Sequence, residues 1–451
     1  MTLQPSGLLW CELVHTRTGV ERDVAIDIRD GRIAGIRPDT IPPPGAEIRR
    51  GLTVPGFANT HAHAFHRVLR GRTQAGAGTF WTWRAMMYAA ADRLDPDTYL
   101  ALARAVYVEM ALAGITTVGE FHYLHHGARG TPYATRNAMG HALVEAARQA
   151  GIRITLLDTC YLTGGIGERP HNTQLRFTDG DADRWADRAG ALADAYRDAD
   201  DVLVGAAVHS VRAVPDTQIP VVAAWAADRD VPLHAHVSEQ PIENHASFEA
   251  YGRTPVEVFD AAGALGPRFT AVHATHVGAH DITVLGRSGA GVCLCPTTER
   301  DLADGIGPAG DLARAGVRLS LGTDSQAVTD MFEEARGVEL GERLRTGSRG
   351  HFTTARLLAH ATALGQAALG RDDVGRIETG MRADLVTIGL DSVRLAGTVP
   401  RLAPSSAVFA ATAADVTHVT VAGRTIVADG THRLIEDVPG ELTAAIRALV
   451  A

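Results

Sequence analysis

Apolar positions along the chain repeat in two ways. Near both ends they alternate with polar positions at a period of two, the mark of strands with one buried face. Residues 23–28 show this pattern, and Asp30-Gly31 then signals a hairpin turn before Arg32-Ile33. Towards the other end, residues 383–388 and 418–421 are strand candidates. Gly423 punctuates the second of these, and residues 424–427 resume it. Two separated β-rich ends can pair into one small sheet domain, leaving the middle of the chain as an insertion. In that middle, short apolar runs alternate with helix-length segments. The runs end at Phe57, Phe121, Leu157, His209, His236, His273, Cys295 and Asp324, and the helical segments include 96–113, 137–150, 181–199 and 218–228. Eight such units predict an α/β fold, a TIM-like (β/α)8 barrel with its chemistry at the strand C-termini. The same alternation also permits an open doubly wound sheet.

Composition narrows the function. The 451 residues are 45% hydrophobic and 21% charged, ordinary for a globular chain. A net charge of −9 argues against a nucleic-acid partner. No apolar run approaches the ~18 residues of a membrane span, and residues 1–10 lack the basic and apolar regions of a signal peptide. The 4 cysteines are too few for a disulfide scaffold, so a reduced, cytoplasmic location is expected. There is no lysine: all 43 basic residues are arginine. This excludes Schiff-base chemistry on lysine and a Walker P-loop.

The histidines carry the chemistry. His61-Ala62-His63 follows the apolar turn Val54-Pro55-Gly56-Phe57. In an extended segment, residues i and i+2 face one side, so both imidazoles can address one metal. His234-Ala235-His236-Val237-Ser238-Glu239 follows the apolar run 231–233 and pairs a histidine with a glutamate three residues on. His234 is expected one layer deeper, packed in the lumen. Ala271-Val272-His273-Ala274-Thr275-His276 and Leu319-Ser320-Leu321-Gly322-Thr323-Asp324 are the third and fourth clusters. Cys293 and Cys295 alternate on one strand and are expected as buried packing, and His276 as a loop residue.

This constellation resembles the deaminase branch of the amidohydrolase superfamily over essentially the whole chain. The resemblance implies a small β-sandwich domain from residues 1–54 and 375–434. The run Gly375-x4-Gly380-x2-Ala383-Asp384-Leu385-Val386 supports that reading. A metal-dependent barrel is then expected over 55–374 and a C-terminal helix over 435–451. The implied metal ligands are His61, His63, His236 and Asp324. With no lysine available to bridge two ions, one divalent metal per chain is expected, unless a glutamate takes the place of the bridge. Zn2+ is the first choice, and Fe2+ is compatible.

More narrowly, Phe80-Trp81-Thr82-Trp83-Arg84, Met86-Met87-Tyr88, residues 119–126, His209-Ser210-Val211-Arg212, Ser238-Glu239-Gln240 and residues 295–299 resemble the formimidoylglutamate deiminase family. The implied reaction converts N-formimidoyl-L-glutamate and water to N-formyl-L-glutamate and ammonia, in histidine degradation. Glu239, His273 and Asp324 would be catalytic. A dicarboxylate substrate calls for arginines, which bind carboxylates bidentately. Arg84 and Arg212 are the candidates, with Tyr123 and His209 as further donors. His66 stands where the family usually has glutamine, and can still donate a hydrogen bond. Arg67, Arg70 and Arg72 are expected as loop charges. A homodimer is expected from the resemblance. The alternative is another deaminase of this superfamily, acting on a different amidine or a heterocycle.

Overall fold

A computed structural model describes residues 7–450. The expected absence of a signal peptide concerns residues 1–10, of which 1–6 lie outside the described residues.

Four strands open the chain: β1 (Gly7–Thr16), β2 (Gly19–Arg29), β3 (Arg32–Arg37) and β4 (Glu47–Pro55). Eight more follow in the middle: β5 (Phe57–Ala62), β6 (Ile115–His122), β7 (Arg153–Cys160), β8 (Val202–Val208), β9 (Leu233–Val237), β10 (Phe269–His273), β11 (Gly291–Leu294) and β12 (Arg318–Leu321). The last four are β13 (Leu385–Ile388), β14 (Val416–Val421), β15 (Arg424–Ala428) and β16 (Thr431–His432).

The outer strands form one sheet in the order β16-β15-β14-β13-β4-β1-β2-β3, so the two chain ends meet where β13 pairs antiparallel with β4. Asp30 and Gly31 both take positive φ (50° and 74°), the two-residue turn that suits a twisted hairpin. Both faces of the sheet are covered. Leu9, Cys11, Ile26, Ile33 and Leu385 form a small core of their own, while their alternating neighbours Leu13, Leu52, Val54 and Val386 join the main core. The expected small domain from both chain ends is present with this sandwich-like character.

The middle strands are all parallel, in the order β5 to β12. The sheet closes just beyond β12, where the Asp324 amide donates to the His61 carbonyl (3.0 Å) and the His63 amide donates to the Asp324 carbonyl (3.1 Å). Gly322 lies at this seam: a Cβ there would sit 2.6 Å from the His61 carbonyl oxygen. The barrel is therefore closed, and the open doubly wound sheet is excluded. Helices Pro96–Leu112, Ala138–Ala150, Ala182–Ala195 and Ile219–Asp228 stand where helical spacing places them, the third ending four residues early. Helix Val438–Val450 closes the described chain.

Three strand ends differ from expectation by more than one residue. The first barrel strand starts at Phe57 and runs to Ala62, rather than ending at Phe57. Its polar run, Asn59-Thr60-His61, hides it in the hydrophobicity pattern. Asn59 is tolerated because the lumen supplies partners: it donates to Thr323 Oγ1 (2.7 Å) and accepts from the Thr323 amide (2.9 Å). β7 continues past Leu157 to Cys160, and β12 stops at Leu321, three residues before Asp324.

Candidate functional site

The C-terminal ends of β5, β9 and β10 and the turn after β12 converge on one point. One ligand atom from each of His61, His63, His236 and Asp324 lies within 4.8 Å of the other three, and all four residues are buried. His61 Nε2 and His63 Nε2 stand 3.2 and 3.3 Å from Asp324 Oδ1, and His236 Nε2 stands 3.2 Å from His61 Nε2. The neighbouring backbone sets two of the tautomers. His63 Nδ1 donates to the Phe121 carbonyl (2.9 Å), and His236 Nδ1 donates to the His209 carbonyl (2.8 Å). Their Nε2 lone pairs therefore face the centre, as metal-bound histidines require.

Burial lowers the pKa of His61, His63 and His236, which keeps the rings neutral. Burial alone would raise the Asp324 carboxyl, but the hydrogen bond to His61 and the nearness of His61, His273 and His63 hold it well below the usual range. Three neutral imidazoles and one carboxylate, with lone pairs meeting and no proton between them, fit a divalent cation. His234 is not part of this group. It lies deeper in the lumen, its Nε2 3.0 Å from the Ala368 carbonyl oxygen.

His273 borders the cluster. Its Nε2 is 3.7 Å from Glu239 Oε1 and 3.9 Å from Asp324 Oδ2, and its Nδ1 is 3.4 Å from Glu299 Oε1. Burial opposes its charge, but Glu239, Glu299 and Asp324 outweigh that and push it up to about 10. The strand ends here are bent sharply: Ser238, His273, Ala274 and Asp324 all have positive φ (53°, 70°, 50° and 41°). Non-glycine residues there store roughly 1 kcal/mol or more each. The Ala274 amide, donating to the Val237 carbonyl at 3.0 Å, helps to hold the bend.

A cavity opens on the cluster. All five residues expected at the substrate (His66, Arg84, Tyr123, His209 and Arg212) line it, together with Glu239, His63, His236 and Asp324. His66 Nε2 lies 3.0 Å from the Tyr123 hydroxyl, and burial lowers the ring's pKa to about 3. Arg84 is half-buried; it donates to the Tyr88 hydroxyl (2.8 Å) and lies over the rings of Trp81 and Tyr88. Arg212 donates to Glu239 Oε2 (3.0 Å), and its Nε is 3.3 Å from Glu243 Oε2. That pairing of the expected carboxylate binder with the expected acid/base is not visible in the sequence.

Other lining residues went unassigned by sequence. Phe80, Trp83, Met87 and Tyr88 share one face of helix Phe80–Asp92 with Arg84. Their i, i+3, i+4, i+7, i+8 spacing is the signal that could have found them. Tyr161 follows the end of β7, where barrel loops carry function. Phe177 and Leu302 come from loops with no local signal. Arg67 and Arg70 are not free loop charges. Both bind Glu109 (2.7 and 2.6 Å), and Arg70 also donates to the Gln326 carbonyl and to Thr329, tying the turn after β5 to helix Pro96–Leu112 and to the loop after β12. His276 bonds the Asp304 carbonyl (2.8 Å), as a loop residue would.

Residues 52–426 match the Amidohydrolase family. The chain belongs to that family. This amidohydrolase is 36% identical over 425 residues to a formimidoylglutamate deiminase of Pseudomonas aeruginosa, covering 92% of this chain and 93% of that protein. It is 30% identical over 425 residues to an 8-oxoguanine deaminase of the same organism, covering 92% of each. Among solved structures, it superposes on an amidohydrolase from Brucella melitensis with a TM-score of 0.92 at 31% identity, covering 99% of this chain and 100% of that one.

Proposed function

We propose that this amidohydrolase hydrolyses N-formimidoyl-L-glutamate to N-formyl-L-glutamate and ammonia, with one divalent metal per chain. The observation that carries this reading is the cavity: His63, His236 and Asp324 of the four convergent ligands line it, and so do two arginines, Arg84 and Arg212. Two guanidinium groups suit a substrate with two carboxylates. The 36% identity to a formimidoylglutamate deiminase supports the same reading.

His61, His63, His236 and Asp324 would hold Zn2+ or Fe2+, which when bound supplies Lewis acidity and brings the pKa of a water toward about 7. Asp324 accepts a proton from the attacking water. His273, beside Asp324 and Glu239, orients that water and stabilises charge at the attacking oxygen. Glu239 carries a proton to the leaving nitrogen after water adds to the formimidoyl carbon. The C–N bond then breaks and ammonia departs. Arg84 and Arg212 hold the carboxylates, with His66, Tyr123 and His209 as further donors.

A second reading has one observation in its favour. Phe80, Trp83, Tyr88, Tyr123, Tyr161 and Phe177 make the cavity strongly aromatic, which suits a planar heterocycle. The two arginines argue against it. The test is ammonia release from N-formimidoyl-L-glutamate and from 8-oxoguanine by purified, Zn2+-loaded protein, with organic products identified by mass. Ammonia with N-formylglutamate is expected. Turnover of the purine alone would overturn the first reading.

A further inference from the structure

His273 is the shared wall between two sites. Its Nε2 faces Glu239 and Asp324, while its Nδ1 faces Glu299 at 3.4 Å. On that far side, one ligand atom from each of His273, Cys295 and Glu299 lies within 4.8 Å of the other two, and all three residues are buried. We propose that His273, Cys295 and Glu299 form a second metal site, which takes up a thiophilic divalent cation such as Cd2+ or excess Zn2+ and thereby switches the enzyme off.

Three observations support a built site. The donors are an imidazole, a thiol and a carboxylate, the ligand mix that Zn2+ and Cd2+ accept and Mg2+ or Ca2+ avoid. The carboxylate is pre-oriented, because Glu299 Oε1 accepts the Cys295 amide at 2.8 Å, across the start of helix Pro296–Asp301. One of the three donors, Glu299, also borders a cleft outside the catalytic cavity. Glu299 lines a cleft on the flank of the barrel, bounded by Gly305, Gly307 and Glu333, which shares no lining residue with the catalytic cavity. Burial and the neighbouring Cys293 keep the Cys295 thiol protonated at neutral pH, and His273 carries a proton on Nδ1, so cation uptake releases both protons to solvent.

The effect on catalysis rests on the role proposed above for His273; the binding does not. A cation on Nδ1 takes the place of the Nδ1–Glu299 contact that orients the ring. His273 is then fixed from its far side and is no longer adjustable toward Glu239 and the attacking water.

The test is a Cd2+ titration of the full-length, Zn2+-loaded enzyme. The catalytic ligand set contains no sulfur, so an ultraviolet thiolate-to-cadmium band excludes that site, and its loss in Cys295→Ser separates Cys295 from Cys11, Cys160 and Cys293. After desalting, one Zn2+ and one Cd2+ per chain are expected, with activity falling as the band grows. Cys295→Ser should lose the band and the cadmium, keep one zinc, and remain active in cadmium. Glu299→Gln, which preserves the acceptor for the Cys295 amide, should weaken cadmium uptake by more than about tenfold. No retained cadmium in the wild type, or an undiminished band in Cys295→Ser, would overturn the site. If the band and stoichiometry behave as stated but formimidoylglutamate is never hydrolysed, the site stands and the proposed substrate fails.

Discussion

Glu239 is held at both oxygens, with Arg212 Nη2 at 3.0 Å and His273 Nε2 at 3.7 Å. It is thus fixed beside the metal ligands without being one of them. Glu239→Gln preserves the shape and removes the proton carrier, so kcat should fall ~100- to 10,000-fold. Metal content should stay at one per chain. Steady-state kinetics with elemental analysis checks both, and a loss of metal in the variant would show that Glu239 is structural instead. Arg84 stands elsewhere in the cavity, over the Trp81 and Tyr88 rings. Arg84→Met keeps the bulk and removes the charge. KM for formimidoylglutamate should rise by about tenfold or more with kcat changed less, the cost of one charged hydrogen bond.

At the level of elements, the barrel seam and one buried ion network support the site. Gly322 lets the end of β12 approach β5 closely enough for Asp324 to join His61 and His63. Gly322→Ala would press a Cβ against the His61 backbone, so about 1–3 kcal/mol of stability should be lost, along with metal affinity. Chemical denaturation and metal titration measure the two effects. The network lies above β7: Arg188 binds both Asp158 (2.8 Å) and Asp179 (2.9 Å), and His126 binds Asp179 (2.9 Å). Burial alone would raise the Asp179 carboxyl, but His126 and Arg188 hold it at about 2, against 3.8 for an ordinary aspartate. A depressed carboxyl stabilises the fold above its unfolded pKa, and that stability is lost as pH falls through its folded value. Asp179→Asn should therefore cost about 2 kcal/mol at neutral pH. The gap to wild type should shrink as pH falls from about 4 toward 2. Denaturant titrations at several pH values would reveal a gap that fails to shrink.

Over the whole molecule, the metal ligands come from three barrel strands spread from residue 61 to residue 324. A cation held by all of them binds the folded chain and not the unfolded one. Free Zn2+ at 100 times its Kd should therefore stabilise the apo-enzyme by about 2.7 kcal/mol. Chelation should lower Tm, and re-added Zn2+ should restore it. His61→Ala should abolish that response. A Tm indifferent to chelator would mean that the four ligands hold no structural share of the fold.

Much of this was legible in the chain. Residues 231–239, 271–276 and 319–324 announce strand ends carrying histidine or carboxylate, and the Asp30-Gly31 and Gly423 turns punctuate the outer sheet. Local backbone preference and hydrophobic period determine such features, because each needs only neighbours in sequence. The absence of lysine is likewise a property of sequence alone, and it restricts the chemistry before any fold is known. The tertiary structure decided the rest. Strand β5 escaped the apolar pattern because polar residues such as Asn59 and His61 find partners across the lumen. Arg212 met Glu239, and Arg67 and Arg70 met Glu109, through distances that no local spacing encodes. Phe177 and Leu302 reach the cavity from loops whose course is set by packing. Closure at Gly322 is the decisive step: only when the eighth strand returns to the first do His61, His63, His236 and Asp324 share one point, because a ligand set is a property of distance in space and not of separation along the chain.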